Sequence, residues 1–169
     1  MFGQDLDEDG EIGISISTLT SSKYDSNGWL LKKEIDSSGN TKGLYIVNNE
    51  EEESSLISIK DQWGYQVSLD WNSSWGYGSS SSIVQAVEKN TDGTFSLVVK
   101  STNSYDSSST STDWTIYKIS SDGTFDWSDS TYTSDIKFYE TSLFLDDLND
   151  DGTVGIDLSL IHISDPRDS

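Results

Sequence analysis

Four residue-glycine pairs, Asn27-Gly28, Ser38-Gly39, Asp92-Gly93 and Asp122-Gly123, cut this chain into short pieces. Such pairs tolerate the positive φ angles of tight hairpin turns, which most residues resist. Between them lie runs rich in β-branched and aromatic residues: WLLKKEI (29–35), GLYIV (43–47), LISIK (56–60), YQVSLDW (65–71), SIVQAVEK (82–89), TFSLVVK (94–100), DWTIYKI (113–119) and TFDWS (124–128). Several alternate with period two, so that Trp114, Ile116 and Lys118 face one way and Thr115, Tyr117 and Ile119 the other. Runs of this kind predict a mainly β fold, an antiparallel meander or sandwich-like module. An echo between NTDGTFS (90–96) and SSDGTFD (120–126) marks two hairpins of the same chemistry.

One segment has helical spacing instead. SDIKFYETSLFLDD (134–147) sets Ile136, Tyr139, Leu143 and Phe144 on one face, with Ser134 as its cap and Asp135 in its first turn. The stretches GYGSSSS (76–82) and NSYDSSSTST (103–112) read as mobile surface loops, and the acidic run 50–53 as a solvated loop.

Composition narrows the chemistry. Ten Lys and Arg face 30 Asp and Glu, a net charge of −20, which argues against nucleic acid and anionic lipid as partners. Cys is absent, which excludes disulfides, thiolate metal sites and cysteine nucleophiles. No apolar run approaches the ~18 residues of a membrane-spanning helix, and the opening MFGQDLDEDG has no signal-peptide pattern. Residues 158–169, LSLIHISDPRDS, resemble the translation of a sequencing adapter. That tail holds the chain's one His, one Pro and one Arg (His162, Pro166, Arg167), so the remainder offers no imidazole for acid–base or triad chemistry. The expectation is a non-catalytic protein.

The chemistry-bearing motif is a pair of acidic loops. Residues 2–13, FGQDLDEDGEIG, and 144–155, FLDDLNDDGTVG, both fit F-x-x-D-L-[DN]-x-D-G-x-[IV]-G. Asp5, Asp7 and Asp9 in one, and Asp147, Asn149 and Asp151 in the other, alternate so that their oxygens turn toward a single ion. Gly10 and Gly152 allow the bend, and Glu11 and Thr153 offer main-chain carbonyls. Oxygen-only ligation of this kind suits Ca²⁺ rather than a soft metal. The twelfth position of an EF-hand-type loop, normally a bidentate Glu, is Ile16 or Leu158 here. On a continuous helix Glu140 lies about 10 Å from the second loop, too far to substitute. Asp157 or water is the better candidate.

The extended pattern E-x-x-x-F-x-x-D-L-N-x-D-G-x-[IV]-G over residues 140–155 resembles the end of the tryptophan-rich Synechocystis C-terminal domain family. Residues 83–100 and 113–127 are similar to its inner strands and Gly turns, and residues 27–47 to its opening strands. The chain departs from the pattern at Ile83, where the family has Trp, and at Val87, which separates Ala86 from Glu88. Ser- and Trp-rich insertions also expand the middle. The resemblance implies a structural or adhesive repeat of a large secreted or cell-surface bacterial protein, with neighbouring repeats as partners. On that reading residues 1–13 end a preceding repeat and 14–157 form the β module.

A third constellation is aromatic: Trp63, Tyr65, Trp71, Trp75 and Tyr77. Trp63 and Trp71 share odd spacing with Val67 and Leu69 and read as core, as do Trp114 and Trp127. Trp75 and Tyr77 are the candidates for stacking on a sugar, with Asp61, Asp70 and Asn72 near the row. A carbohydrate-binding module therefore stands as an alternative function. A dockerin-like interaction domain is a third, because DLNDDG also suits such a domain.

Overall fold

The computed structural model describes residues 19–22, 28–48, 56–106 and 109–156. The fold is mainly β, with two antiparallel meanders packed face to face and one short helical segment near the C-terminus. The smaller sheet has the order β1 (Thr20–Ser21), β2 (Trp29–Ile35), β3 (Thr41–Asn48) and β4 (Ile57–Ser58). The larger contains β5 (Lys60–Asp61), β6 (Trp71–Trp75), β7 (Gly78–Lys89), β8 (Phe95–Tyr105), β9 (Ser109–Ile119) and β10 (Thr124–Thr133), in the order β5-β10-β9-β8-β7-β6. β5 joins β10 in parallel; every other pairing in the two sheets is antiparallel.

The run LISIK is two strands rather than one. Ile59, fully buried, is the crossing point at which the chain leaves the smaller sheet as β4 and enters the larger as β5. Between the sheets Leu31, Leu44, Ile46 and Ile59 meet Val84, Val87, Phe95, Leu97, Ile119 and Phe125. Each such side chain contributes about 1.5–3 kcal/mol on burial, which makes this layer the main source of stability. A second core lies on the opposite face of the larger sheet. There Ala86, Val98, Trp114 and Ile116 pack against Ile136, Phe144 and Leu148 of the C-terminal segment.

Four sequence expectations are corrected: the strand YQVSLDW and the core placement of Trp63, Trp71 and Trp127. YQVSLDW is not a strand: residues 65–70 are irregular, Asp61 accepts the N–H groups of Trp63 and Tyr65, and Gly64 closes a turn there. The turn breaks the alternation, so Val67 and Leu69 are buried while Trp63 and Tyr65 stay exposed. Trp71 is half-exposed because it sits on edge strand β6, and Trp127 because four residues of β10 bulge out between Phe125 and Ser130. Trp114 is buried as expected.

The Ser-rich stretches, expected as loops, are mostly strand where they are described, with turns at residues 76–77 and at Asp106. Residues 78–82, 101–105 and 109–112 continue β7, β8 and β9 in unbroken register. Serine carries no strong preference of its own; a growing ladder, with partners on both sides of 78–82 and 101–105 and on one side of 109–112, supplies the backbone bonds that hold it extended.

Candidate metal centre

The C-terminal segment starts where β10 ends. Thr133 Oγ1 accepts the N–H of Asp135, and Asp135 Oδ1 accepts the N–H of Lys137 at 3.1 Å. Asp135, not Ser134, therefore closes the first turn. One helical turn, α1 (Lys137–Tyr139), passes directly into a π-helical turn, Glu140–Phe144. Leu145 stops it in a left-handed conformation (φ 56°), its N–H bonded to the Glu140 carbonyl at 2.7 Å. The expected apolar face is present: Ile136 and Phe144 are buried, and Tyr139 and Leu143 pack at its margin.

This early stop changes the role of Glu140. Because the helix does not run on to Asp147, the chain folds back around the Glu140 carboxylate, which is fully buried. Its Oε1 accepts the N–H groups of Leu148 (2.9 Å) and Asn149 (3.0 Å), and its Oε2 accepts that of Gly155 (3.0 Å). The two ends of the acidic loop are thereby tied to one carboxylate. Charge-assisted bonds of this type are about twice as strong as neutral ones. Glu140 grips the backbone of the loop, a role the assumption of a continuous helix concealed.

Inside the loop the acidic side chains are ordered by the loop's own main chain. Asp147 Oδ1 (3.1 Å) and Asn149 Oδ1 (2.8 Å) share the N–H of Asp151, which brings the two oxygens together. Asp147 Oδ2 accepts from Gly152 N–H at 2.8 Å. Asp151 Oδ1 accepts from the N–H and the hydroxyl of Thr153. Asp151 Oδ2 lies 2.7 Å from the Lys137 ammonium. Lys137, then the Thr153 donors, hold the Asp151 carboxyl well below the usual carboxylate range, and Asp151 in turn raises the Lys137 ammonium. For Asp151 the resulting stability is present above the unfolded carboxylate value and is lost as pH falls through the lower folded one.

The larger sheet supports the loop through one amide. Gln85 is the extra residue in the bulge where β7 slips against β8. Its Nε2 donates to the Leu148 carbonyl (2.9 Å), and its Oε1 accepts from Trp114 Nε1 (3.0 Å). Lys100 approaches Asp150 at 3.9 Å. Sequence reasoning missed Gln85, because nothing in SIVQAVEK marks the bulge.

The donor set can be compared with what Ca²⁺ requires. Asp147, Asn149 and Asp151 provide hard oxygens at alternate positions, with the Thr153 carbonyl next in sequence, as such a loop requires. The fit holds for ligand type and spacing. Among the described residues no three His, Cys, Asp or Glu side chains form a metal-holding group; of the three side chains at alternate positions in the loop, one, Asn149, is an amide. The first loop, with Asp5, Asp7, Asp9 and Glu11, lies outside the described residues, as do Asp157, the acidic run 50–53 and residues 158–169.

Trp75 and Tyr77 are exposed as expected. Asp61 and Asp70 are not open to a ligand beside them. Asp61 is buried on its own turn, and Asp70 binds Lys33 (2.5 Å), Thr41 (2.8 Å) and the N–H of Val84 (2.6 Å) at the seam of the two sheets. Comparison with known proteins gives no relative: no family model, no curated protein and no solved structure matches the chain.

Proposed function

We infer that this chain is a non-catalytic, Ca²⁺-stabilised β module with a structural or adhesive role in a larger secreted or cell-surface protein. One observation carries the metal part: the oxygens of Asp147 and Asn149 converge on a single N–H in a loop whose two ends are held by Glu140. A bound cation would be held by Asp147, Asn149, Asp151 and the Thr153 carbonyl, and would neutralise carboxylates that otherwise repel. The family resemblance supports the repeat setting, in which neighbouring repeats are the partners. No helix of the described residues is long and apolar enough to cross a membrane.

Calorimetric titration with CaCl₂ is the test. Loops of extracellular modules bind with Kd of about 10⁻⁴–10⁻³ M, and ligand at 100 times Kd stabilises a fold by about 2.7 kcal/mol. The expected result is binding together with a rise in melting temperature. Asp147→Ala with Asp151→Ala should remove the contribution of the second loop. Lys137→Met should tighten binding several-fold, because the ammonium beside Asp151 competes with the incoming cation. Heat and melting temperature that ignore Ca²⁺ would overturn the reading.

A further inference from the structure

We propose that the serine-rich end of the larger sheet is a binding face for an uncharged polysaccharide, with Trp71, Trp75 and Tyr105 as its stacking groups. This face lies outside the acidic loop, so either reading can fail alone.

The register places these side chains together. Trp71 pairs across to Ser82 and Ser101, and Trp75 to Gly78 and Tyr105, with Ser73, Ser80 and Asn103 as the row between. Alternate residues share a face and directly opposed residues do too, so all three rows point to the same side. Neither core reaches this far: the buried positions of β7 and β8 that build them begin at Val84 and end at Val99. Trp71, Trp75 and Tyr105 are 50%, 46% and 58% exposed. Large apolar side chains grouped on an open face are not the product of ordinary surface composition.

Gly78 shapes the platform. With no side chain between them, the Trp75 ring reaches over β7 toward Tyr105, with centroids 6.3 Å apart. A Cβ on Gly78 would meet the Trp75 indole at 3.1–3.2 Å and the Ser104 carbonyl oxygen at 2.3 Å. The indole thus lies across the glycine with about half its surface open. Trp71 and Trp75 stand four residues apart on β6, about 13 Å, the length of a few pyranose rings. In the row between them Ser80 Oγ donates to Asn103 Oδ1 at 2.5 Å, leaving a surface of hydroxyls and amide that both donates and accepts. A sugar ring asks for that combination: an apolar face over an aromatic and equatorial hydroxyls to flanking dipoles.

Charge selects the polymer. Residues 71–82 and 101–112 carry one charged side chain, Asp106, in a chain that is 24% charged. The molecule as a whole, at a net charge of −20, repels polyanions. A neutral glycan is the polymer that neither loses nor needs ionic contacts here.

Affinity electrophoresis of the full chain in native gels containing hydroxyethylcellulose, xyloglucan or galactomannan, with alginate as the anionic control, tests the proposal. Retardation by at least one neutral polymer and none by alginate is expected. Trp75→Ala and Trp71→Ala should each weaken retardation about tenfold or more, the loss of one central contact, while Trp127→Ala leaves it intact. Trp75→Tyr keeps a ring and should retain most of the binding, and melting curves show that each variant is folded. No retardation by any neutral polymer overturns the proposal, as does retardation unaffected by the Trp71 and Trp75 changes. A concentration-dependent dimer that is lost in Trp75→Ala overturns it too, since edge strand β6 would then pair with a second copy.

Discussion

Replacing Glu140 by Ala is expected to cost the fold about 3–5 kcal/mol, because it strands backbone donors that have no other partner in reach. Leu148 and Gly155 are buried, so water cannot take over their N–H groups; Asn149 is half-buried and loses less. The loss is not confined to the loop. Leu148 belongs to the second core with Phe144, Trp114 and Ile116, and its carbonyl is the acceptor for Gln85. Urea denaturation should show the loss as a lower midpoint, and the melting temperature should fall by roughly 10 °C or more. Glu140→Gln is the informative companion. Its carbonyl oxygen can serve Leu148 and Asn149, but its amide nitrogen then faces the N–H of Gly155, donor against donor. An intermediate loss of about 1–3 kcal/mol follows. Hydrogen exchange provides the local readout, with the amides of Leu148, Asn149 and Gly155 slow in the parent and fast in both variants. A Glu140→Gln protein as stable as the parent would show that the carboxylate is not what closes the loop.

The distance between sequence and structure is widest where a side chain's fate depends on a remote partner. The turns and most strands are legible, since WLLKKEI coincides with β2 and the glycine pairs fall between strands. The acidic loop is legible as a motif, because Asp147, Asn149, Asp151 and Gly152 are local in sequence. Glu140 is visible but its place is not: a π-helical turn differs from an α-helix by one residue per turn, and no residue in ETSLF announces it. The serine runs mislead because solvation and disorder are the ordinary fate of such composition, whereas here three strands extend together and template one another. The Trp residues mislead for the same reason. Parity on a strand predicts a shared face, but not whether a second sheet covers that face.

Gly93 and Gly123 expose that gap most sharply, because their turns are twins. In each, the glycine N–H bonds to the carbonyl three residues back at 3.0 Å, and the preceding Asp accepts the N–H of the following Thr at 3.0 Å. Their φ angles are +84° and +87°. Alanine at either position meets the same left-handed strain, about 1–2 kcal/mol. Beyond that the surroundings differ. A Cβ at Gly93 has nothing within 4 Å, whereas one at Gly123 would sit 2.2 Å from the Ser58 carbonyl oxygen and 2.8 Å from Ile57 Cγ2. Backbone must yield there, and the backbone in question is the crossing from β4 to β5. Moving it breaks the bond from Lys60 N–H to the Gly123 carbonyl (2.9 Å) and strains the parallel pairing of β5 with β10. Gly93→Ala should therefore cost about 1–2 kcal/mol and Gly123→Ala about 4 kcal/mol or more in urea unfolding. Equal losses would mean that the β4–β5 crossing does not rest on the second turn. An unequal pair would show that one local motif, written twice in the chain, takes its energetic weight from what the other sheet lays across it.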